Sequence, residues 1–165
     1  MNLNQQPQGP APRPTEPRGF FTGVGIRPII IGAVVDYVAT YLLVMLYVIV
    51  YYVKDPLEKG GLPEETIEKA LQEMISSQEG LLALIVIGAL CTTLGGYVAG
   101  RLAKAEAVKH GALVGAVSLI VGALQSGMAG EGSPLPQWHM LLGYLLAIPA
   151  GALGGFLAQG WAKQR

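Results

Sequence analysis

Charge is scarce in this chain: Asp, Glu, Lys and Arg make up 13% of its 165 residues, about half of what a water-soluble domain carries. Cysteine is nearly absent. Cys91 is the sole one, so an intrachain disulfide is excluded, and its place inside an apolar run says little about redox compartment. The two histidines, His110 and His139, are expected on opposite faces of a membrane, and with Cys91 in mid-span the chain offers no set of ligands for a metal. Gly23 and Gly25 are followed by no Gly-Lys-Ser/Thr, which excludes a phosphate loop. Ser118 and Ser126 have no candidate base beside them. Basic residues interleaved with aromatics are missing too, so no nucleic-acid surface is expected. Neither an enzyme nor a resident cofactor nor a small-molecule substrate is indicated.

What the chain has in quantity is apolar length. Hydrophobic residues make up 52% and the mean hydropathy is +0.46. Four runs are long enough to cross a bilayer, whose hydrocarbon core takes about 20 helical residues: about 28–53, 81–103, 110–128 and 138–161. Backbone polar groups cannot stay unpaired in lipid, so each run is predicted to be an α-helix. The expected fold class is all-α, an integral membrane four-helix bundle formed by residues 20–165. The first run is too long for a signal peptide and leads into Tyr51, Tyr52, Lys54 and Asp55 without a small-residue cleavage site, so it is expected to stay in the membrane.

The basic residues give an orientation. Arg13, Arg18 and Arg27 precede the first span, Arg101, Lys104 and Lys109 join the second to the third, and Lys163 and Arg165 close the chain, which places eight of the eleven on one side. The 54–80 loop instead sets Lys54, Lys59 and Lys69 against seven acidic residues. By the positive-inside rule both termini are cytoplasmic. Tyr51, Tyr52 and Trp138 at one level, with Phe20, Phe21 and Trp161 at the other, fit aromatic belts.

Outside the spans, residues 1–19 carry Pro7, Pro10, Pro12, Pro14 and Pro17 among Gln and Asn and read as a disordered cytoplasmic tail. In the outer loop, Pro63 suits a first helical turn, and Ile67, Ala70, Leu71, Met74 and Ile75 recur at helical spacing. A short amphipathic helix over about 63–78 is predicted, its apolar stripe capping the bundle in preference to serving as a partner site.

Residues 94–104 read LGGYVAGRLAK and residues 153–163 read LGGFLAQGWAK. Arg27 followed by Gly32, Ala33 and Val34 is echoed more weakly by His110 followed by Gly115, Ala116 and Val117. Spans one and two then correspond to spans three and four as two related helical hairpins, a parallel repeat about an axis along the membrane normal. Chance similarity among Gly- and Ala-rich helices is the alternative. Gly88, Thr92, Gly96 and Gly100 form a small-residue stripe on span two, Gly143, Ala147, Gly151 and Gly155 form one on span four, and Gly111 with Gly115 a shorter one on span three. Such stripes let backbones approach closely, which is how helices associate in lipid. Pro149 inside span four frees the carbonyl of Leu145 and is expected to kink the helix, with Thr92 or Thr93 able to satisfy that carbonyl.

Asp36 is the one acidic residue inside a span. A lone carboxylate there is costly and is paired or functional. Thr93, Tyr97 and Arg101 share one face of span two, so an Asp36–Arg101 pair helped by Tyr97 or Thr93 is expected to lock spans one and two. The alternative role is a proton or cation relay.

Arg27, Pro28, Gly32, Ala33 and Asp36 in the first span, the GGYVAGRLAK block ending the second, and His110 to Gly115 opening the third together resemble small bacterial and archaeal four-span membrane proteins of unknown function. The resemblance covers roughly residues 26–163, and the long outer loop departs from it. It implies an inner-membrane protein of a prokaryote and supplies no catalytic residue. The function expected from sequence is therefore that of a structural or accessory protein that acts through contacts in the bilayer, as a homo-oligomer or with a membrane-protein partner; the alternative is a small oligomeric transporter or channel built around Asp36.

Overall fold

In a computed structural model of the chain, residues 23–53, 64–103, 105–128 and 135–162 are described. The Pro-rich tail, Phe20, Phe21, Pro63, Lys104, Lys163 and Arg165 lie outside these residues, as does the side chain of Trp161. Five helices make up the described chain: α1 (Ile26–Val48), α2 (Glu64–Ser76), α3 (Gln78–Leu102), α4 (Ala107–Met128) and α5 (Gln137–Ala162). The last turns of α1 widen to a π-helix over Ile49–Val53. Four of the helices, α1 with its extension, α3, α4 and α5, are long and apolar enough to cross a membrane. Their bounds fall within three residues of those expected from hydropathy, the excess lying at helix starts.

The start of α3 shows why. Ser77 leaves helical geometry at ψ 142°, and its Oγ accepts from the Gly80 amide at 3.0 Å, capping the free amides of the new helix. The same hydroxyl donates to the Met74 carbonyl, so one serine ends α2 and begins α3. A Cβ at Gly80 would strike that carbonyl, which is why the corner takes glycine. The stripe of α2 turns inward as expected: Ala70 and Met74 are buried with Val48 and Val53 of α1, and Leu71 and Ile75 pack beside them.

Packing fixes the direction of each rod. Gly32 of α1 meets Gly95 of α3, and Asp36 reaches back to Thr92, so α1 and α3 are antiparallel. Gly96 meets Gly151 and Gly100 meets Gly155, so α3 and α5 are parallel. Gly111 meets Gly155, while Gly115 meets Ala147, which makes α4 and α5 antiparallel. Ala103 and Glu106, where the chain passes from α3 to α4, therefore lie at the same end as Gly25 and as the C-terminus of α5; we call this the turn end, and the opposite one the α2 end.

Small residues do different work at the two ends. On the half nearer the turn, a Cβ at Gly32, Gly95, Gly96, Gly111, Gly151 or Gly154 would collide with backbone of a neighbouring helix. Such approach is what small residues permit in a membrane bundle. Towards the α2 end the same stripes go slack: nothing lies within 4 Å of a Cβ built at Gly88, Gly127 or Gly143. The glycine stripes are thus tight on the half nearer the turn and loose towards the α2 end, where α2 itself packs on α1, and the expected packing roles of Gly88 and Gly143 are not fulfilled.

Helix α5 continues through Pro149. Neither threonine expected to serve the Leu145 carbonyl does so, because Thr93 donates to Ala89 at 2.8 Å and Thr92 turns to Asp36.

Candidate functional site

Asp36 lies ten residues into α1, about 15 Å from its start at the usual rise, and is 5% exposed. Its neighbours are hydroxyls. Thr92 Oγ1 stands 3.2 Å from both carboxylate oxygens, Ser118 of α4 donates to Oδ2, and Thr40, one turn further along α1, adds a third hydroxyl.

Arg101, the partner expected from sequence, is exposed and makes no ion pair with Asp36. Two geometric facts explain the difference. Thr92 is level with Asp36, and Arg101 lies nine residues further along α3, about 13 Å away along the axis. Thr93 and Tyr97, which share the face of Arg101, make no bond to Asp36 either: their backbone lies against Gly154 of α5, and the Thr93 hydroxyl donates to Ala89 of its own helix. The side chain that bonds Asp36 is the neighbour of the expected Thr93, one step round the helix.

Ser118, expected to have no base beside it, lies against the Asp36 carboxylate, and helix register accounts for the contact. Helices α1 and α4 run parallel from the same end, so residues equally far from their starts share a level. Asp36 is ten residues after Ile26 and Ser118 eleven after Ala107, which puts hydroxyl and carboxylate side by side.

Ser118 has one hydrogen and two acceptors within reach, Asp36 Oδ2 and the Val114 carbonyl at 3.1 Å. An ionised carboxylate takes that hydrogen. A protonated Asp36 can instead donate to Ser118 Oγ, whose own hydrogen then goes to Val114. The hydroxyl therefore satisfies either state of the acid with a rotation about one bond.

Two cavities adjoin this cluster. One, of about 370 Å³, lies between α3, α4 and α5 towards the α2 end and is lined by Thr92, Ser118, Gln125, Ser126, His139 and Tyr144 among apolar residues. Tyr144 donates to Ser126 at 3.2 Å on its wall. Both ring nitrogens of His139 are buried without a hydrogen-bond partner among the described residues; the Leu81 backbone lies beside the ring, outside hydrogen-bond geometry. The other cavity, of about 520 Å³, opens between α1 and α4 and is lined by Asp36 itself. Thr92, Ser118, Gly122 and Gln125 border both.

At the turn end a third cavity, of about 510 Å³, lies beside His110. His110, 1% exposed, accepts the Gly25 amide on Nε2 at 2.9 Å. Its ring proton is then on Nδ1, which donates to the Glu106 carbonyl at 3.0 Å. Glu106 holds a left-handed φ of 56° at this turn and pairs with Lys109 at 3.2 Å. Among the described residues, no three of His, Cys, Asp or Glu are grouped to hold a metal.

No family model, curated protein or solved structure matches the chain.

Proposed function

We propose that this chain is a multi-pass membrane protein that loads and releases a proton or a monovalent cation on Asp36, the working group of a small oligomeric transporter or channel. One observation carries the reading: the carboxylate is surrounded by hydroxyls, faces no cation among the described residues, and has a cavity on either side. A buried charge without a counter-charge is costly, so the acid must be neutralised by a proton or an incoming cation. Ser118, able to serve both states, suits such an exchange. An oligomer belongs to the proposal because four spans enclose little volume by themselves.

The basic residues orient the protein with both termini and the turn end in the cytoplasm of a prokaryote and the α2 end outside. In that setting the cavity beneath His139 and Tyr144 faces outward, and the glycine-packed half faces inward. We also read the two hairpins as copies of one, on the echo of 94–104 in 153–163 and the direct packing of the parallel helices that carry it. The copies differ in register: Gly32 meets Gly95, whereas Gly115 meets Ala147 in place of Gly154.

An accessory role has one observation in its favour. Helix α1 leaves Ile30, Val34, Tyr37, Val38, Tyr41 and Leu42 exposed on its length, a surface that lipid or another membrane helix would cover.

The test is flux in reconstituted vesicles that enclose a pH-sensitive dye, under an imposed membrane potential. Wild type dissipates the potential by proton or cation flux and Asp36→Asn does not. Equal traces for the two proteins would refute the reading.

A further inference from the structure

We propose that the cavity between α1 and α4 binds a protonated organic amine with an apolar body, its ammonium group on Asp36 in exchange for the proton. The inference rests on the reading of Asp36 as a proton and cation site, and it names the class of cation.

Charge points to the ligand first. Among the residues lining this cavity Asp36 is the one acid, and neither Lys, Arg nor His lies among them. An anion would have no partner there. A cation would supply the counter-charge that the carboxylate lacks.

Hydrogen-bond capacity narrows the cation. A carboxylate has about four acceptor positions. Ser118 occupies one on Oδ2, Thr92 shares its single hydrogen between the two oxygens, and the Thr40 hydroxyl takes a further one. One position therefore stays open for an N–H donor, and Thr40 of α1 and Gln125 of α4, each with an oxygen able to accept, line the same cavity. A primary ammonium, with three donors, matches these acceptors better than a quaternary ion with none.

Size and access define the rest of the molecule. About 520 Å³ falls in the range of small-molecule sites, roughly 300–1,000 Å³. The walls are Ala33, Val117 and Val121 with the ring of Tyr37, surfaces suited to an alkyl or aryl group. Ile30, Val34 and Val38 at the rim are each about half exposed on the outside of the bundle. The mouth thus faces the hydrocarbon layer, and a ligand must dissolve in lipid to reach it.

The exchange balances in protons and charge. The ammonium R–NH3+ leaves one proton in the water, the neutral amine crosses the lipid to the site, and the Asp36 carboxylic acid gives its proton to the amine nitrogen, so that the site holds a carboxylate–ammonium pair of zero net charge. Ser118 rotates its hydrogen back to Oδ2 as the proton leaves. One proton is released for each amine bound.

The experiment is calorimetric titration of the full chain in detergent with phenylbutylamine, in two buffers of different ionisation heat, with phenylbutanol as the uncharged counterpart. Expected are saturable binding, release of one proton, affinity that rises by up to about tenfold per pH unit while Asp36 is protonated, and binding of the alcohol at least tenfold weaker. Asp36→Asn and Val121→Trp, the latter filling the cavity with the acid in place, should each weaken the amine at least tenfold. Equal binding of amine and alcohol, wild-type affinity in either variant, or no saturable heat would overturn the proposal. If amine binding fails while Asp36-dependent flux persists in vesicles, the amine site falls and the proton reading stands; if both fail, both fall.

Discussion

Thr92 and Asp36 face each other across the α1–α3 contact with the threonine Oγ1 3.2 Å from each carboxylate oxygen. The approach depends on glycine one turn away, because Gly95 and Gly32 bring the two backbones together. A polar bond in mid-bundle and a small-residue contact are thus parts of one structure: the glycines set the spacing that a threonine hydroxyl can bridge.

Removing a hydroxyl from the cluster should be costly. Thr92→Val and Ser118→Ala are each expected to lower stability by about 1–3 kcal/mol, the usual cost of leaving a buried polar group short of a partner. Unfolding in mixed micelles measures it. Because the two hydroxyls share one acceptor group, the double variant should depart from additivity.

Arg101→Leu should leave stability within about 0.5 kcal/mol of wild type, as an exposed change away from a buried network does. The same unfolding assay checks it. A large loss would mean that Arg101 supports Asp36 after all.

The two ends of the bundle should respond oppositely to alanine. Gly96→Ala and Gly154→Ala push a methyl into neighbouring backbone and are expected to cost about 1–3 kcal/mol. Gly88→Ala and Gly143→Ala meet open space and should be neutral or gain about 0.5–1 kcal/mol from the better helix former. Thermal melting of the four variants side by side reads the contrast.

Ser77→Ala removes the side chain that caps α3 and is bonded to Met74. A loss of about 1 kcal/mol is expected, with faster amide exchange at Gly80 as the local signature.

Apolar run length was enough to locate all four long helices, because hydropathy over twenty residues integrates a strong signal. The corner at Ser77 was less visible, since one residue separates two helices there and periodicity alone merges Ser76 with Gln78. Which face of a span meets which neighbour was legible in part. The stripe of Gly96, Gly100, Gly111, Gly115, Gly151 and Gly155 marks true contacts, while Gly88 and Gly143 fit the same spacing and touch nothing. Spacing reports where close approach is allowed; the splay of the helices decides where it happens. Asp36 stands out in the sequence as costly, but charge complementarity points to Arg101, whereas equal depth on the parallel helix α4 matches it to Ser118.

The most direct measurement is the infrared difference spectrum of the folded protein as pH is raised, wild type against Asp36→Asn. Exchange on Asp36 predicts a protonated-carboxyl C=O band in wild type that bleaches as carboxylate bands grow, with neither change in the Asn variant. Superimposable spectra from the two proteins across the accessible pH range would contradict it.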